Sequence, residues 1–300
     1  MLRFLVIILT AGLTALGLDA SSASAIEVAP LAVQTTTPWV GAYTGCGGTC
    51  STDPATLWKE KNRLIGGGKL SYSRDFDPTI PSVGREAWRK VPSPYHFYSV
   101  KPPQDDINGF LAGRYDDALK AVIRALPAKT KVTMYHEPED NMSGSTFAAL
   151  LGHFKTVVKS VRPELSVWYV AMAYQWRTNS KGHVTTNKGW IDAAKTADAV
   201  GIDVYARAGY FKSLADDAGF TRWWNEIKVP SGKADWGIIE RGISNDNGEA
   251  ARVKMLNDDW SFAKAHDVRI FMYWDNGKDE LTGPKETAAY RAITGQGRTL

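Results

Sequence analysis

Lys131-Val132-Thr133-Met134-Tyr135-His136-Glu137-Pro138 is a short apolar and β-branched run that stops at a carboxylate, and Trp236-Gly237-Ile238-Ile239-Glu240 is a second. Runs of this length and composition read as strands. Six more of the same kind can be marked along the chain: Trp39–Tyr43, Lys69–Arg74, Tyr95–Val100, Ser166–Met172, Ala199–Tyr205 and Arg269–Trp274. With Lys131–His136 and Trp236–Glu240 they make eight. Between them the spacing of apolar residues changes from two to the three-and-four pattern of a helix face. Phe147, Leu150, Leu151, Phe154, Val157, Val158 and Val161 form one such face, with Ser143 or Ser145 placed to cap it. Leu119, Val122, Ile123 and Leu126 form another, and Val253, Leu256, Trp260 and Ala263 a third.

Strands that alternate with helices imply parallel pairing and right-handed crossovers. Eight such units predict an α/β fold closed as a (β/α)₈ TIM barrel, a single domain over residues 38–300. The competing fold is an open doubly wound sheet, which carries a glycine-rich phosphate turn after its first strand. Gly45-Cys46-Gly47-Gly48 is rich in glycine but does not open into an apolar helix.

The chain begins with one basic residue, Arg3, before an apolar stretch that runs to about Leu18 and is followed by Ala23-Ser24-Ala25. That order is expected of a cleaved signal peptide, residues 1–25. The stretch is shorter than the ~20 residues of a membrane span. Residues 26–37 lack periodicity and read as a leader segment. The expectation is a secreted monomer with no membrane association after cleavage. Cys46 and Cys50, the only cysteines, are expected to pair as a local disulfide in an exported protein. The net charge of +4 is small, and the basic residues form no stripe, which argues against a nucleic-acid partner. Eleven tryptophans are many for this length. Some fill the core, and others suit stacking on sugar rings.

A carboxylate at the end of a barrel strand is placed for chemistry, because the catalytic face lies at the carboxyl ends of the strands. Glu137 would end the fourth strand and Glu240 the seventh. Two carboxyl groups about 5–5.5 Å apart can cleave a glycosidic bond with retention. Such a pair should titrate apart.

In these features the sequence resembles the clan A glycoside hydrolases, in which the acid/base glutamate ends strand four and the nucleophilic glutamate ends strand seven. His136 before Glu137 makes it more similar to glycoside hydrolase family 26, the β-mannanase family. Gly201-Ile202-Asp203-Val204-Tyr205, Met272-Tyr273-Trp274 and Ser73-Arg74 are similar to the clan's sixth, eighth and second strands. After His-Glu the family carries tryptophans, whereas this chain continues Pro138-Glu139-Asp140-Asn141. The resemblance implies that Glu137 is the general acid and base and Glu240 the nucleophile. It further implies that Tyr205 bonds Glu240, that Trp274 floors the sugar site and that Arg74 lies near the nucleophile. His136 would contact the sugar or hold Glu137. Trp176 would add a second stacking surface, and Tyr43 would line the pocket.

Other readings of the same residues stay open. Glu139 is a rival for the acid role, although Pro138 should turn the chain before it. Glu240 followed by Arg241 can be an ordinary ion pair. Asp203, if inward, is expected to pair with a base such as Arg74. No second histidine completes a zinc-binding His-Glu-x-x-His, and no Gly-x-Ser-x-Gly elbow occurs. The expected enzyme is a glycoside hydrolase acting on a polysaccharide, β-mannan first, with no cofactor and no metal. The alternatives are a hydrolase of another cell-wall or furanoside glycan, and a barrel that binds glycan without cleaving it.

Overall fold

In the computed structural model, eight parallel strands run in chain order and close on themselves. The described residues are 36–45, 52–178 and 183–299. The signal peptide, most of the leader and the Cys46–Cys50 pairing lie outside them. The strands are β1 Trp39–Tyr43, β2 Tyr72–Asp77, β3 Tyr95–Val100, β4 Lys131–Met134, β5 Ser166–Met172, β6 Ala199–Ala206, β7 Trp236–Ile243 and β8 Ile270–Trp274. The seam closes by five paired positions between β1 and β8, from Trp39 opposite Ile270 to Tyr43 opposite Trp274. Among the described residues no helix is long and apolar enough to cross a membrane.

Alternation along the strands divides the apolar residues into two sets. Tyr72, Phe97, Trp168, Val170, Ala199, Ile239, Ile270 and Met272 fill the barrel interior. Their outward neighbours, such as Tyr98, Val132, Val200, Ile202 and Phe271, pack beneath the helices. The interior aromatics fit because small residues stand opposite them. A Cβ on Gly41 would lie 2.5 Å from the Tyr72 carbonyl oxygen and 2.7 Å from its Cβ.

The helix Gly144–Val161 buries Phe147, Leu150, Leu151, Phe154, Val157 and Val158 as its periodicity requires, and Ser143, not Ser145, caps it by accepting from the Thr146 N–H at 3.2 Å. On the helix Gly248–Ala265 the inward face is shifted by one residue at its start. Arg252, rather than Val253, is buried, in an ion pair with buried Glu286.

Five strands differ in extent from the sequence reading: β6 runs one residue further, to Ala206, β7 three further, to Ile243, β8 begins one residue later, at Ile270, and β2 and β4 differ at the turns beside them. β2 begins at Tyr72, not Lys69. Residues 69 and 70 are spent closing the preceding turn, where the Lys69 N–H bonds the Gly66 carbonyl and the Leu70 N–H bonds Asn62 Oδ1. The strand then runs beyond Arg74 to Asp77. β4 stops at Met134 because Tyr135 takes a left-handed backbone with φ 54°.

Candidate active site

The carboxyl ends of β2, β4, β6, β7 and β8 converge on one cluster of side chains. Glu137 reaches it by an unusual backbone. Both Tyr135 and Glu137 have φ 54°, in the left-handed region that side chains other than glycine seldom occupy. In an extended strand His136 and Glu137 would point to opposite faces. The two left-handed residues break that alternation. Tyr135 turns outward into the core, and His136 packs its ring 4.8 Å from Phe76. The Glu137 N–H remains bonded to the Val170 carbonyl of β5 at 3.0 Å.

Glu240 arrives by another irregularity. The β6–β7 register slips between Ile202 and Asp203, so that Asp203 stands opposite Glu240 instead of Ile239. This bulge sends Ile239 into the lower interior and lets the next residue face the site as well. Glu240 is then held on both oxygens: Arg74 Nε donates to Oε1 at 3.1 Å, and the Tyr205 hydroxyl donates to Oε2 at 2.5 Å. Tyr205 is itself pinned, because Gly242 leaves space where a Cβ would lie 2.2 Å from its ring. Arg74 is further held by Ser99 Oγ at 2.7 Å.

Oxygens of Glu137, Asp203 and Glu240 lie within 4.8 Å of one another. Their titration follows from that crowding. Burial, then the charge of Glu240, pushes Glu137 up to about 8. Burial raises Glu240 too, against the opposing pull of Arg74 and Tyr205. Asp203 is held well above the usual carboxylate range by burial and by both glutamates. Burial and the nearby Arg74 and Lys101 charges keep His136 neutral. Three close carboxylates are the one group among the described residues that could hold a cation; Arg74 already supplies positive charge there.

Each residue singled out in the sequence has a definite place. Tyr43 lies flat on Trp274, with ring centroids 4.0 Å apart and planes 9° apart, and Phe76 meets both edge-on. Trp274 keeps its other side toward a cavity of about 350 Å³ lined by Glu137, Met172, Tyr174, Arg177, Tyr205 and Arg207. Trp176 is not at this surface. It is fully buried, its indole N–H donated to Glu139 at 3.1 Å, so it has no face to offer a sugar. Glu139 is turned away as Pro138 suggested and accepts from Tyr169 at 2.7 Å and from the Met172 N–H. Arg241 pairs with Asp259 at 2.7 Å and not with Glu240. Arg74 bonds Glu240, and both Asp203 oxygens lack a hydrogen-bond partner, so the expected Asp203–Arg74 pair does not form.

Sequence reasoning missed Phe76, Ser99, Tyr174, Arg177 and Arg207. Alternation on β2 and β3 would have put Phe76 and Ser99 on the inner face. The last three lie on loops or at strand exits, where the sequence carries no periodic signal.

No family model matches the chain, and no curated protein matches it in sequence. Solved structures do match in shape. The endo-β-1,4-mannanase from Thermotoga petrophila is similar with a TM-score of 0.56 and 12% identity, over 88% of this chain and 77% of that one. The β-mannanase from the blue mussel Mytilus edulis gives 0.54 and 11%, over 87% and 92%. A GH128 endo-β-1,3-glucanase from Sorangium cellulosum gives 0.52 and 14%, over 85% and 98%. These neighbours are glycoside hydrolases, and at such identities the likeness establishes the shared barrel.

Proposed function

We propose that this protein is a retaining glycoside hydrolase of the clan A type, exported from the cell and acting on a β-linked polysaccharide. The observation that carries the reading is the approach of Glu137 and Glu240 to within 4.8 Å. So close an approach of their oxygens favours direct attack by one carboxylate over the interposed water of an inverting site, whose carboxyls stand about 6.5–9.5 Å apart. Glu137, neutral below about pH 8, gives its proton to the leaving oxygen. Glu240, oriented by Arg74 and Tyr205, attacks the anomeric carbon and forms a glycosyl ester. Glu137, now a carboxylate, takes a proton from water, and that water releases the sugar. Trp274, backed by Tyr43, supplies the apolar floor. β-Mannan is the first substrate to try, supported by the His136-Glu137 resemblance and by the mannanases among the structural neighbours.

The test has two parts. A panel of β-linked polysaccharides is assayed for released reducing ends with product sizing. Glu240→Ala is then supplied with azide and an activated aryl glycoside. The variant should be inert alone and yield the glycosyl azide of inverted anomeric configuration. Full activity without azide rejects Glu240 as nucleophile.

A further inference from the structure

Asp203 is the most enclosed carboxyl of the cluster. None of it reaches solvent, neither oxygen has a hydrogen-bond partner, and yet it lies within 4.8 Å of Glu137 and Glu240. A buried, unpaired carboxylate is costly, and a third negative charge in this space more so. The charged or titratable groups facing it are Glu240 from β7, Glu137 and Glu139 from the segment after β4, Arg74 from β2 and its own strand neighbour Tyr205. The single cation among them gives its Nε to Glu240 and its Nη1 to Ser99 and the carbonyls of Asp75 and Phe97, and its buried Nη2 has no partner and makes no bond to Asp203. One guanidinium balances one carboxylate. A carboxyl in that setting is accommodated by keeping its proton and donating it.

We propose that Asp203 is a positioning residue that stays protonated throughout the reaction and turns its O–H toward whichever of Glu240 and Glu137 carries the negative charge. The proposal rests on the glycosidase reading, because that reaction moves the charge. In the free enzyme the charge is on Glu240. When Glu240 bonds the anomeric carbon, the leaving oxygen takes the Glu137 proton, and the charge passes to Glu137. Hydrolysis returns it: Glu137 recovers a proton from water, and the bond from Glu240 to carbon breaks with its electron pair on the carboxylate. Asp203 loses nothing in either half. Asp203 lies within 4.8 Å of both carboxylates, and a donor held in a closed site needs no solvent rearrangement. Burial and the two glutamates favour its neutral form, in agreement with this role.

The test compares the full chain with Asp203→Asn, which keeps the shape and a donor but cannot ionise, and Asp203→Ala. Thermal midpoints against pH need no substrate. A carboxyl whose folded-state pKa is raised contributes stability below its unfolded value, near 4, and loses it as pH rises. The midpoint of Asp203→Asn should therefore gain on wild type steadily as pH rises above about 4. A flat or falling difference means that Asp203 is ionised in the fold, and the proposal is overturned. On a glycan or aryl glycoside that the wild type cleaves, Asp203→Ala should slow both glycosyl transfer and ester hydrolysis by about ten- to a hundredfold, as expected for a hydrogen bond to a charged group. Asp203→Asn should recover most of that loss. An unchanged Asp203→Ala, or a loss confined to one half-reaction, also overturns it. A wild type inert toward every glycan removes the glycosidase reading, and the task of Asp203 with it; a flat midpoint difference in an active enzyme removes Asp203 alone.

Discussion

The two glutamates come to the same place under opposite conditions. Glu240 lies within a continuous strand that runs three residues past it, re-aimed by a one-residue slip, and both oxygens are held by donors. Glu137 sits three residues beyond its strand on a left-handed backbone, and its buried Oε1 has no partner. Each left-handed residue there costs about 1–3 kcal/mol, so the turn after β4 persists only because its surroundings hold it. The difference suits the two tasks proposed for them. A nucleophile must stay charged and aimed, which donors accomplish. An acid must keep its proton until a leaving oxygen arrives, which burial without donors accomplishes.

Substitutions at the two positions should therefore fail differently. Glu240→Ala has the largest expected effect, a loss exceeding the roughly 10²–10⁴-fold that proton transfer alone supplies. Glu137→Ala should fall within that 10²–10⁴ range on a polysaccharide and much less on an aryl glycoside whose leaving group needs no proton. Azide should rescue it with retained configuration, the reverse of the Glu240→Ala product. In wild type, kcat/KM should decline as pH rises through about 8, where Glu137 loses its proton, and Glu137→Gln should lack that limb. If both variants gave the same azide anomer, the division of roles would be wrong. Tyr205→Phe comes next. Removing one donor from a charged oxygen costs about 1.5–3 kcal/mol, roughly ten- to a hundredfold in rate. Gly242→Ala should produce a comparable loss without touching Glu240, because the added methyl displaces the Tyr205 ring.

The same contrast separates what the sequence could and could not reveal. All eight strands were legible, since each is a short apolar run between helix-patterned segments. The seventh strand was legible as far as its glutamate, because a bulge changes facing without interrupting composition, but its continuation to Ile243 was hidden by Arg241 and Gly242, which break the apolar run. The consequence of the bulge was illegible. Which of three carboxyls receives Arg74 depends on the slip at Asp203, and no residue type announces it. The end of β4 was also hidden, because Tyr135 and Glu137 carry no glycine to mark a left-handed turn. Trp176 misled for a related reason. An indole after a strand suits a sugar floor and a buried donor equally, and the decisive partner is Glu139, which sequence distance does not connect to it.

That partner gives the smallest expected effect and the sharpest view of the β4 turn. Glu139 accepts from Tyr169, Trp176 and the Met172 N–H, tying the segment that carries Glu137 to β5 and the turn after it. Burial nevertheless pushes its carboxyl up to about 7. The fold therefore prefers the proton, so the contribution of Glu139 to stability is complete below its unfolded pKa near 4.3 and declines as pH rises toward 7. Glu139→Gln removes the titration, keeps an oxygen that can accept from Tyr169 and Trp176 as Oε1 does, and leaves the Met172 N–H short, for a cost of about 1–3 kcal/mol at low pH. The deficit should narrow as pH rises from about 4 to about 7. Urea midpoints at several pH values measure it. If the turn is what holds Glu137 in place, the variant should also lose some activity on polysaccharide while Glu240-dependent azide chemistry is unaffected. A deficit that widens with pH would mean that Glu139 is ionised in the fold, and that β4 and β7 solve their problem by the same device.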